Sequence, residues 1–322
     1  MRLRIASFNL ENLDAEGLEE RLAVLRPQLR RLEADILCLQ EVDGQREGKG
    51  PRRLLALDRL LEGTDYAGFE RASTTSTGRH AGEPWAAQAH NLVVLSRWPV
   101  RERREVREEL VAPPEYRLAT AEPAAEGPAR LGFDRPLLLV TVELPGGTPL
   151  HLVNLHLRAP SAAPVPGQKE EDGSWRTTGG WAEGCFVAAV KRAAQALEAR
   201  LLVDGLLDAE PEALVVVLGD LNAGEGSTPL RLLAAEAGDT GNGRLAARSL
   251  VPLERALPQD RRYSVVHAGR RALLDHVLVS RPLLGLFREL AIHSETLGDA
   301  SAADAVESDH APLVAEFELP NR

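Results

Sequence analysis

Apolar runs of strand length alternate along this chain with segments of helical spacing. Strands are predicted at residues 2–10, 34–42, 91–96, 137–144, 149–157, 213–222, 273–280 and 312–319. Helices are predicted at Leu18–Glu33, Leu54–Leu61 and Val187–Leu207. Some of the strands are apolar throughout and others alternate. This mixture is typical of sheets that carry helices on one face and pack against a second sheet on the other.

No segment has the composition of an interdomain linker, so we expect a single domain over residues 1–322. One long stretch, Ala159–Gly184, is rich in Pro and Gly and has neither strand nor helix spacing. It is therefore predicted to be a loop inserted into that domain. A structureless loop of this length in a compact domain is usually functional or disordered.

The composition is that of a soluble globular protein. Hydrophobic residues make up 44% of the chain and charged residues 27%, and no apolar run approaches the roughly 20 residues that span a bilayer. The N-terminus has strand character in place of a signal-peptide pattern, and only two cysteines occur, Cys38 and Cys185. A reduced, cytoplasmic setting and a monomer are therefore expected, with both cysteines packed as small apolar residues.

The charge balance restricts the partners of the protein. The chain has 38 Lys and Arg residues against 48 Asp and Glu residues, which gives a formal net charge of −10. This balance disfavours a broad electrostatic grip on nucleic acid. It leaves open a metal-dependent enzyme that acts on phosphates, because a bound divalent cation reverses the sign of the local field.

Carboxylate, amide and imidazole side chains lie at the ends of the apolar segments. They are Asn9, Glu41, His156, Asp220, Asn222, Asp275, Asp309 and His310. Open α/β sheets bind ligands at strand ends of this kind. One such residue alone is most simply a turn cap, but the whole set has the chemistry that hard cations and phosphate oxygens require.

These residues lie in six motifs that occur in a characteristic order. The motifs are "SFNLEN", "LQEV", "VNLHL", "GDLN", "LLDHVLVS" and "SDHAPLVAEF". Between Ile5 and Phe317 the chain therefore resembles the endonuclease/exonuclease/phosphatase superfamily, whose fold is that of deoxyribonuclease I. The resemblance implies a four-layer α/β sandwich, with two mixed sheets packed face to face and helices outside.

The resemblance also implies a metal site formed by Asn9, Glu41 and Asp309. Mg²⁺ is the expected ion, with Mn²⁺ as an alternative, because Mg²⁺ takes oxygen ligands and binds phosphate directly. Glu41 is the best candidate for the main carboxylate ligand. No Cys/His cluster with the spacing of a zinc site is present in the sequence.

Hydrolysis of a phosphate ester needs an in-line water and neutralisation of charge on the phosphoryl oxygens. Asp220 would orient or deprotonate the water, and Asn222 would hold the phosphate or Asp220 itself. His156 and His310 would hydrogen-bond phosphate oxygens from opposite sides. The resemblance implies that Asp275 pairs with His310, which fixes one ring nitrogen so that the other faces the phosphate.

The other histidines have no assigned role in the reaction. His276 follows Asp275 on the opposite face of a strand and is expected to be structural. Some nucleases of the family pair the equivalent of His156 with a further acid; Glu83 is near in sequence, but its spacing does not fit, so this partner stays open. Histidines that match no motif are expected at the surface or hydrogen-bonded in the core: His80, His90, His151, His267 and His293.

Three classes of function are compatible with the sequence. The first is a Mg²⁺-dependent phosphoesterase, most simply a nuclease that cuts phosphodiester bonds of nucleic acid. The second has the same chemistry on a phospholipid, an inositol phosphate or another small phosphoester. The third is a non-catalytic binding module on the same fold, which the complete set of acids, amides and imidazoles disfavours.

The inserted segment Ala159–Gly184 begins three residues after His156, so its base is expected at the mouth of the site. Its charged residues sum to −2, which makes it a poor clamp for a duplex backbone. We expect it to select single-stranded or small phosphodiesters, with Trp175 and Trp181 stacking on a base or a leaving group. The alternative is that both tryptophans hold the loop against the protein.

Overall fold

Two six-stranded mixed sheets form the centre of the structure, a computed structural model that describes residues 1–75, 85–300 and 306–320. Their strands are β1 (Arg2–Leu13), β2 (Ile36–Val42), β3 (Glu70–Ser73), β4 (Asn91–Ser96), β5 (Val100–Val106), β6 (Leu137–Leu144), β7 (Thr148–His156), β8 (Leu214–Asp220), β9 (Val251–Pro252), β10 (Asp275–Val279), β11 (Phe287–Ile292) and β12 (Leu313–Glu318). The helices are α1 (Leu18–Leu32), α2 (Leu55–Leu61), α3 (Thr178–Ala209), α4 (Thr228–Ala234), α5 (Ala237–Thr240) and α6 (Arg281–Leu284). Short ribbons pair Gln45–Arg46 with Arg52–Arg53, Glu115–Tyr116 with Ala129–Arg130, and Val265–His267 with Arg270–Ala272.

The strand order is β11-β12-β1-β2-β4-β3 in the first sheet and β9-β10-β8-β7-β6-β5 in the second. Strand β1 runs parallel to β2, and β7 runs parallel to β8. Carboxyl ends of parallel neighbours lie at the same edge of a sheet. Each sheet therefore presents one pair of adjacent carboxyl ends, which carry Asn9, Glu41, His156, Asp220 and Asn222. The amino ends of the antiparallel neighbours β10 and β12 lie at the same edges and add Asp275, Asp309 and His310.

Three apolar layers hold the sheets and helices together. Between the sheets, side chains such as Ile5 and Val94 of the first sheet pack with Leu138 and Val216 of the second. Helices α1 and α2 cover the outer face of the first sheet, and α3 and α4 cover the outer face of the second. The helical spacing of α1 explains its position, because one stripe faces the sheet: Leu22, Leu25, Leu29 and Leu32. The predicted four-layer sandwich is confirmed.

The prediction for the Pro/Gly-rich segment is wrong in its last part. Helix α3 begins at Thr178, not at Val187, and so includes the end of the predicted loop. The Thr177 side chain caps the helix by accepting a hydrogen bond from the N–H of Gly180 at 2.9 Å. Gly180 packs against the Gln168 side chain, and Gly184 packs against the carbonyl of Ala163. Glycine is present at both positions because a Cβ atom would clash there, so it does not indicate a loop.

Four strands that the sequence pattern does not predict lie at sheet edges. They are β3 and β11 in the first sheet and β5 and the two-residue β9 in the second. β5, with the sequence VRERREV, carries charged residues on both faces and is largely exposed. Edge strands of this kind lack the apolar alternation that reveals a strand, because charge protects the edge from further pairing. No helix of the described residues is long and apolar enough to cross a membrane.

Candidate active site

Sheet register brings the predicted residues to one place. His156, the last residue of β7, lies opposite Asp220, the last residue of β8. Asp220 in turn lies opposite Asp275, the first residue of β10. In the other sheet, Asn9 lies opposite Gln40, which precedes Glu41. The sheets pack face to face, so the polar strand ends of both sheets form one site.

The Asp220 carboxylate is the centre of this site, and its side chain is only 2% exposed. Its Oδ2 atom lies 3.2 Å from Asn9 Nδ2 and 3.2 Å from Asn222 Nδ2. The same oxygen lies 3.3 Å from His156 Nε2 and 3.9 Å from His310 Nε2. Asp220 Oδ1 accepts a hydrogen bond from the backbone N–H of Asn222 at 2.8 Å. Nitrogen atoms from four segments thus converge on one buried carboxylate.

Burial raises the pKa of Asp220 to about 7; the charge of His310 opposes this rise, and the carboxylates of Asp275 and Glu41 add to it. A proton acceptor works best when its pKa is close to the operating pH. Asp220 therefore has the position and the proton affinity of a general base at neutral pH.

The predicted contact between Asp275 and His310 is present. Asp275 Oδ2 lies 2.7 Å from His310 Nδ1 and also accepts a hydrogen bond from the Ser264 hydroxyl at 2.6 Å. Ser264 Oγ accepts the N–H groups of Leu274 and Asp275, both at 3.1 Å. Burial lowers the pKa of His310, but Asp275 and Asp220 outweigh that effect and raise it well above the usual value. These carboxylates thus favour the protonated form of His310, whose Nε2 atom faces Asp220.

The pKa of His156 is shifted in the opposite direction. Burial lowers its pKa well below the usual value, and the charges of Arg135, His90 and His310 add to the effect. Its Nε2 atom faces Asp220 and lies 3.5 Å from Glu41 Oε1. Its Nδ1 atom is buried and has no hydrogen-bond partner among the residues that the structure describes. The acid considered from the sequence, Glu83, lies outside the described residues.

The carboxylates of Glu41 and Asp309 have surroundings that fit a divalent cation. Glu41 Oε1 lies 3.4 Å from Asn9 Nδ2, and Glu41 Oε2 accepts the N–H of Asn12 at 3.0 Å. Asp309 Oδ1 is buried without a hydrogen-bond partner in the described part of the chain. Burial raises the pKa of Asp309; His310 opposes this, and Glu41 adds to it. The Asp309 Oδ1 atom lies 3.6 Å from His310 Nε2, and a carboxylate oxygen that accepts no hydrogen bond is free to bind Mg²⁺, which takes carboxylate ligands.

Asn9 supports these carboxylates through both atoms of its amide. Its Nδ2 atom donates toward Glu41 and Asp220, and its Oδ1 atom accepts the N–H of Glu11 at 2.9 Å. This contact lies where β1 bends, because Glu11 and Asn12 have φ angles of 46° and 52°. The Arg21 guanidinium holds the bend by donating to the carbonyl groups of Leu10 and Glu11. Positive φ at two successive non-glycine residues is costly, and the contacts of Arg21 and Asn9 maintain it.

Two residues of the site are missed by the sequence pattern, His90 and Arg135. His90, expected at the surface or hydrogen-bonded in the core, is partly exposed, and its Nδ1 atom lies 3.9 Å from Glu41 Oε2. It has a φ angle of 58°, and the neighbouring Asn91 holds the turn through the backbone of Val42 and Ala87. Ligand atoms of Glu41, His90 and His156 all lie within 4.8 Å of one another.

Arg135 lies just before strand β6, and its guanidinium group contacts the backbone next to His156. Its Nη1 atom donates to the carbonyl of Leu157 at 3.2 Å, a carbonyl that also accepts from Asn222 Nδ2 at 3.1 Å. Burial lowers the pKa of Arg135, while the charges of Glu41 and Asp220 oppose the effect. Like His90, Arg135 lies just before a buried strand. This position is the only feature of the sequence that could have indicated a place in the site.

The other described histidines lie away from this centre. His276 is fully buried and its Nε2 atom lies 2.8 Å from the carbonyl of Ala223, which agrees with its predicted structural role. His151 bonds Thr141 at 3.0 Å, His267 is exposed, and His293 lies near Glu295. His80 lies outside the described residues.

The protein has two packed sheets, and acids, amides and imidazoles are gathered at their strand ends. This combination is typical of the phosphoesterase fold. The family model described as "Endonuclease/Exonuclease/phosphatase family" matches residues 6–310. The chain therefore belongs to the endonuclease/exonuclease/phosphatase family. A search of curated protein sequences gave no match.

Solved structures of this family share the fold at low sequence identity. The D. rerio TDP2 complexed with single strand DNA product is 16% identical, with a TM-score of 0.57 over 99% of each chain. An endonuclease/exonuclease/phosphatase from Beutenbergia cavernae is 19% identical, with a TM-score of 0.55 over 99% of this chain and 72% of that one. A variant of the 3' phosphatase NExo from Neisseria, bound to product DNA hairpin, is 16% identical, with a TM-score of 0.54 over 98% of this chain and 100% of that one.

Proposed function

We propose that the protein is a Mg²⁺-dependent hydrolase of phosphate esters that cleaves phosphodiester bonds of nucleic acid. The observation that carries this proposal is the buried Asp220 carboxylate, on which the side chains of Asn9, His156 and Asn222 converge beside the Asp275–His310 pair. This is the arrangement of a proton acceptor flanked by groups that can bind phosphate oxygens.

Each side chain has a role that follows from its contacts. Asp220 orients the attacking water and takes its proton, with Asn222 fixing the carboxylate through two hydrogen bonds. His310 donates from Nε2 to a phosphate oxygen, and Asp275 positions it by accepting from Nδ1. His156 and Arg135 stabilise charge on the phosphoryl oxygens from the other side. Such preorganised donors are typically worth about 10²–10³-fold each in turnover.

Glu41 and Asp309 would hold the divalent cation. Asn9, expected from the sequence as a third ligand, would position Glu41, because its Oδ1 atom accepts the N–H of Glu11. A bound Mg²⁺ supplies charge neutralisation for the phosphoryl oxygens and the leaving oxygen. The Asp309 Oδ1 atom accepts no hydrogen bond from the described residues, which supports this assignment. Mn²⁺ would be an acceptable substitute, because carboxylate and water ligands suit Mn²⁺ as well as Mg²⁺.

Nucleic acid is favoured as the substrate over a phospholipid or another small phosphoester. The structures of D. rerio TDP2 and Neisseria NExo were obtained with DNA products, which supports a nucleic-acid strand as the natural ligand of this site type. A role as a non-catalytic binding module is disfavoured, because the whole set of predicted residues is gathered at one place.

A panel of substrates tests the proposal. Single-stranded DNA, RNA, duplex DNA, an inositol phosphate and a chromogenic phosphodiester are each incubated with Mg²⁺, with Mn²⁺ or with EDTA. We expect cleavage of single strands that requires the cation and stops on chelation. Turnover that persists in excess EDTA after exhaustive dialysis would contradict the metal dependence. Cleavage of the inositol phosphate alone would contradict the nucleic-acid substrate but retain the chemistry.

A further inference from the structure

A cluster of four cationic side chains lies beside the candidate active site. We call it the basic cluster, and it consists of Arg135, Arg158, Lys191 and Arg192. Arg158 follows His156 by two residues, and Lys191 and Arg192 lie on helix α3. In a chain with a net charge of −10, such a concentration of positive charge next to acidic residues requires a specific cause.

The charges of the basic cluster are only partly compensated. Asp134 Oδ1 lies 2.9 Å from Lys191 Nζ, and Asp134 Oδ2 lies 3.4 Å from Arg158 Nε. Among the residues that the structure describes, Asp134 is the only carboxylate that forms an ion pair with any of the four. Arg135 also interacts with the charges of Glu41 and Asp220, but Arg158, Lys191 and Arg192 have only Asp134 as an ion-paired acid among the described residues, which leaves a local surplus of positive charge at these three.

Buried contacts hold these cations close together in spite of their mutual repulsion. Gln195, which is 1% exposed, accepts the N–H of Arg158 at 3.0 Å and donates to the carbonyl of Arg135 at 3.1 Å. Arg192 Nη1 donates to the carbonyl of Arg158 at 3.1 Å. The backbone is thus fastened so that the guanidinium groups lie near one another, which is an arrangement that anion sites use.

Donor atoms of the basic cluster also lack hydrogen-bond acceptors. The Nε atom of Arg192 is buried and has no hydrogen-bond partner within the described ranges. The Nε atom of Arg158, although it lies near Asp134, makes no hydrogen bond with the described residues either. The side chains of Arg158 and Lys191 are 22% and 19% exposed, so a ligand can reach the cluster from solvent. A partly exposed cluster whose guanidinium groups have donors left without acceptors fits an anion with several acceptor oxygens, such as a phosphate group.

We propose that the basic cluster binds a second phosphate group of the substrate, next to the phosphate that is cleaved. The inference rests on the proposed hydrolysis of phosphate esters. Arg135 connects the two positions, because its Nη1 atom donates to the Leu157 carbonyl that also bonds Asn222. The second phosphate belongs to the neighbouring nucleotide of a strand or to a polyphosphorylated small molecule, which the experiment distinguishes.

Paired substrates with one and two phosphate groups test this inference. A dinucleoside monophosphate is compared with the same molecule carrying a terminal phosphate, and an inositol bisphosphate is included as the small-molecule alternative. In the Arg158→Gln and Arg192→Gln proteins, we expect the ratio of kcat/KM for the two-phosphate over the one-phosphate nucleotide to fall about tenfold. The matched control is Arg288→Gln, since Arg288 is an exposed arginine on edge strand β11 that pairs with Glu318.

Binding without turnover separates this inference from the proposed function. A labelled single-stranded oligonucleotide is titrated into the His310→Ala protein by fluorescence anisotropy at several salt concentrations. With Arg158→Gln or Arg192→Gln added, the slope of log K against log salt should fall by about 0.7 for each phosphate that the protein no longer neutralises. This result supports the inference even if no substrate is cleaved.

Arg158→Lys serves as the conservative variant in case Arg158→Gln does not fold. It retains the charge and should keep most of the salt slope. An unchanged slope and an unchanged substrate ratio in folded Arg158→Gln and Arg192→Gln proteins would overturn the inference. If the variants lose activity only on the inositol bisphosphate, the second phosphate belongs to a small molecule. The proposal of a neighbouring nucleotide in a strand would then be rejected.

Discussion

His310 is held between two carboxylates, and its charge depends on both. Burial alone would keep the imidazole neutral, but the Asp275 contact at 2.7 Å and the nearby Asp220 reverse that effect and raise the pKa of His310. With Nδ1 engaged by Asp275, only Nε2 is free to face a substrate. In the proposed mechanism Asp275 is a positioning residue, so its effect on turnover is expected to pass through His310.

The pairing predicts that the effects of Asp275→Ala and His310→Ala on turnover are not additive. We expect His310→Ala to lower kcat by about 10²–10⁴-fold, and the Asp275→Ala, His310→Ala double variant to be scarcely slower than His310→Ala. The control pairs Asp275→Ala with His151→Ala, since His151 bonds Thr141 away from the site. A double variant whose loss equals the product of the two single losses would rule out the pairing.

At the scale of elements, central strands can be predicted from the sequence better than helix starts or sheet edges. Strands β4 and β6 have the predicted bounds because they are buried on both faces. The start of helix α3 is hidden in the sequence by Gly180 and Gly184, which resemble loop residues although each is required by a close packing contact. The sites of His90 and Arg135 cannot be assigned from the sequence, since their roles depend on packing between segments distant along the chain.

The first turns of α3 predict a stability effect that depends on pH. Glu183 accepts hydrogen bonds from Tyr116, from the N–H of Ala119 and from Thr120, so it fastens the segment around residue 120 to the helix. Burial opposes ionisation of Glu183, but these hydrogen bonds outweigh it and lower its pKa. A carboxyl group with a lowered folded pKa stabilises above its unfolded pKa of about 4.3, and the contribution disappears as the pH falls through the folded value.

Glu183→Gln should therefore destabilise the protein by about 1–3 kcal/mol at pH 7, because the donors around residue 120 lose an ionised acceptor. The difference from wild type should shrink as the pH falls below about 4. Urea unfolding at several pH values measures it, with Glu171→Gln as the control at an exposed acid of the preceding loop. A destabilisation of equal size at low and neutral pH would contradict this role.

Substitutions of the two tryptophans in the 159–184 segment are expected to have different effects. The Trp175 ring centre lies 4.0 Å from the Lys169 ammonium group, and the ring packs beside Gly184, which agrees with a role in holding the loop. Trp181 is 51% exposed. Trp175→Ala should lower the melting temperature, whereas Trp181→Ala should change the ratio of rates between single-stranded DNA and a chromogenic phosphodiester. An unchanged ratio in Trp181→Ala would leave Trp181 without a selective role.

At the scale of the whole molecule, the two sheets are joined by polar contacts near the site. Gln40 of β2 donates to Asn154 of β7 at 2.7 Å, and Asn154 donates to the carbonyl groups of Leu39 and Val93 in the first sheet. Asn9 of β1 adds a contact with Asp220 of β8. A ligand that binds carboxylates in this region would therefore contact residues of both sheets where the sheets meet.

Binding of Mg²⁺ should for this reason raise the stability of the whole fold. An ion that binds only the native state stabilises it by about 2.7 kcal/mol at 100 times its dissociation constant, which corresponds to a rise of several degrees in Tm. Glu41 and Asp309 would supply this effect, because their negative charges repel one another when no cation is bound. Differential scanning calorimetry in EDTA and in Mg²⁺ measures the shift.

Glu41→Gln should abolish the Mg²⁺-dependent rise in Tm while leaving the metal-free protein at least as stable as wild type. The amide can still accept the N–H of Asn12, which Glu41 Oε2 accepts at 3.0 Å, and one charge is removed from an acidic neighbourhood. The control is Glu212→Gln, at an exposed acid before β8, which should retain the full shift. If Glu41→Gln keeps the whole rise, the cation is bound elsewhere and the assigned metal site is wrong. If the metal-free variant melts well below wild type, Glu41 is a structural residue of the sheet junction before it is a ligand.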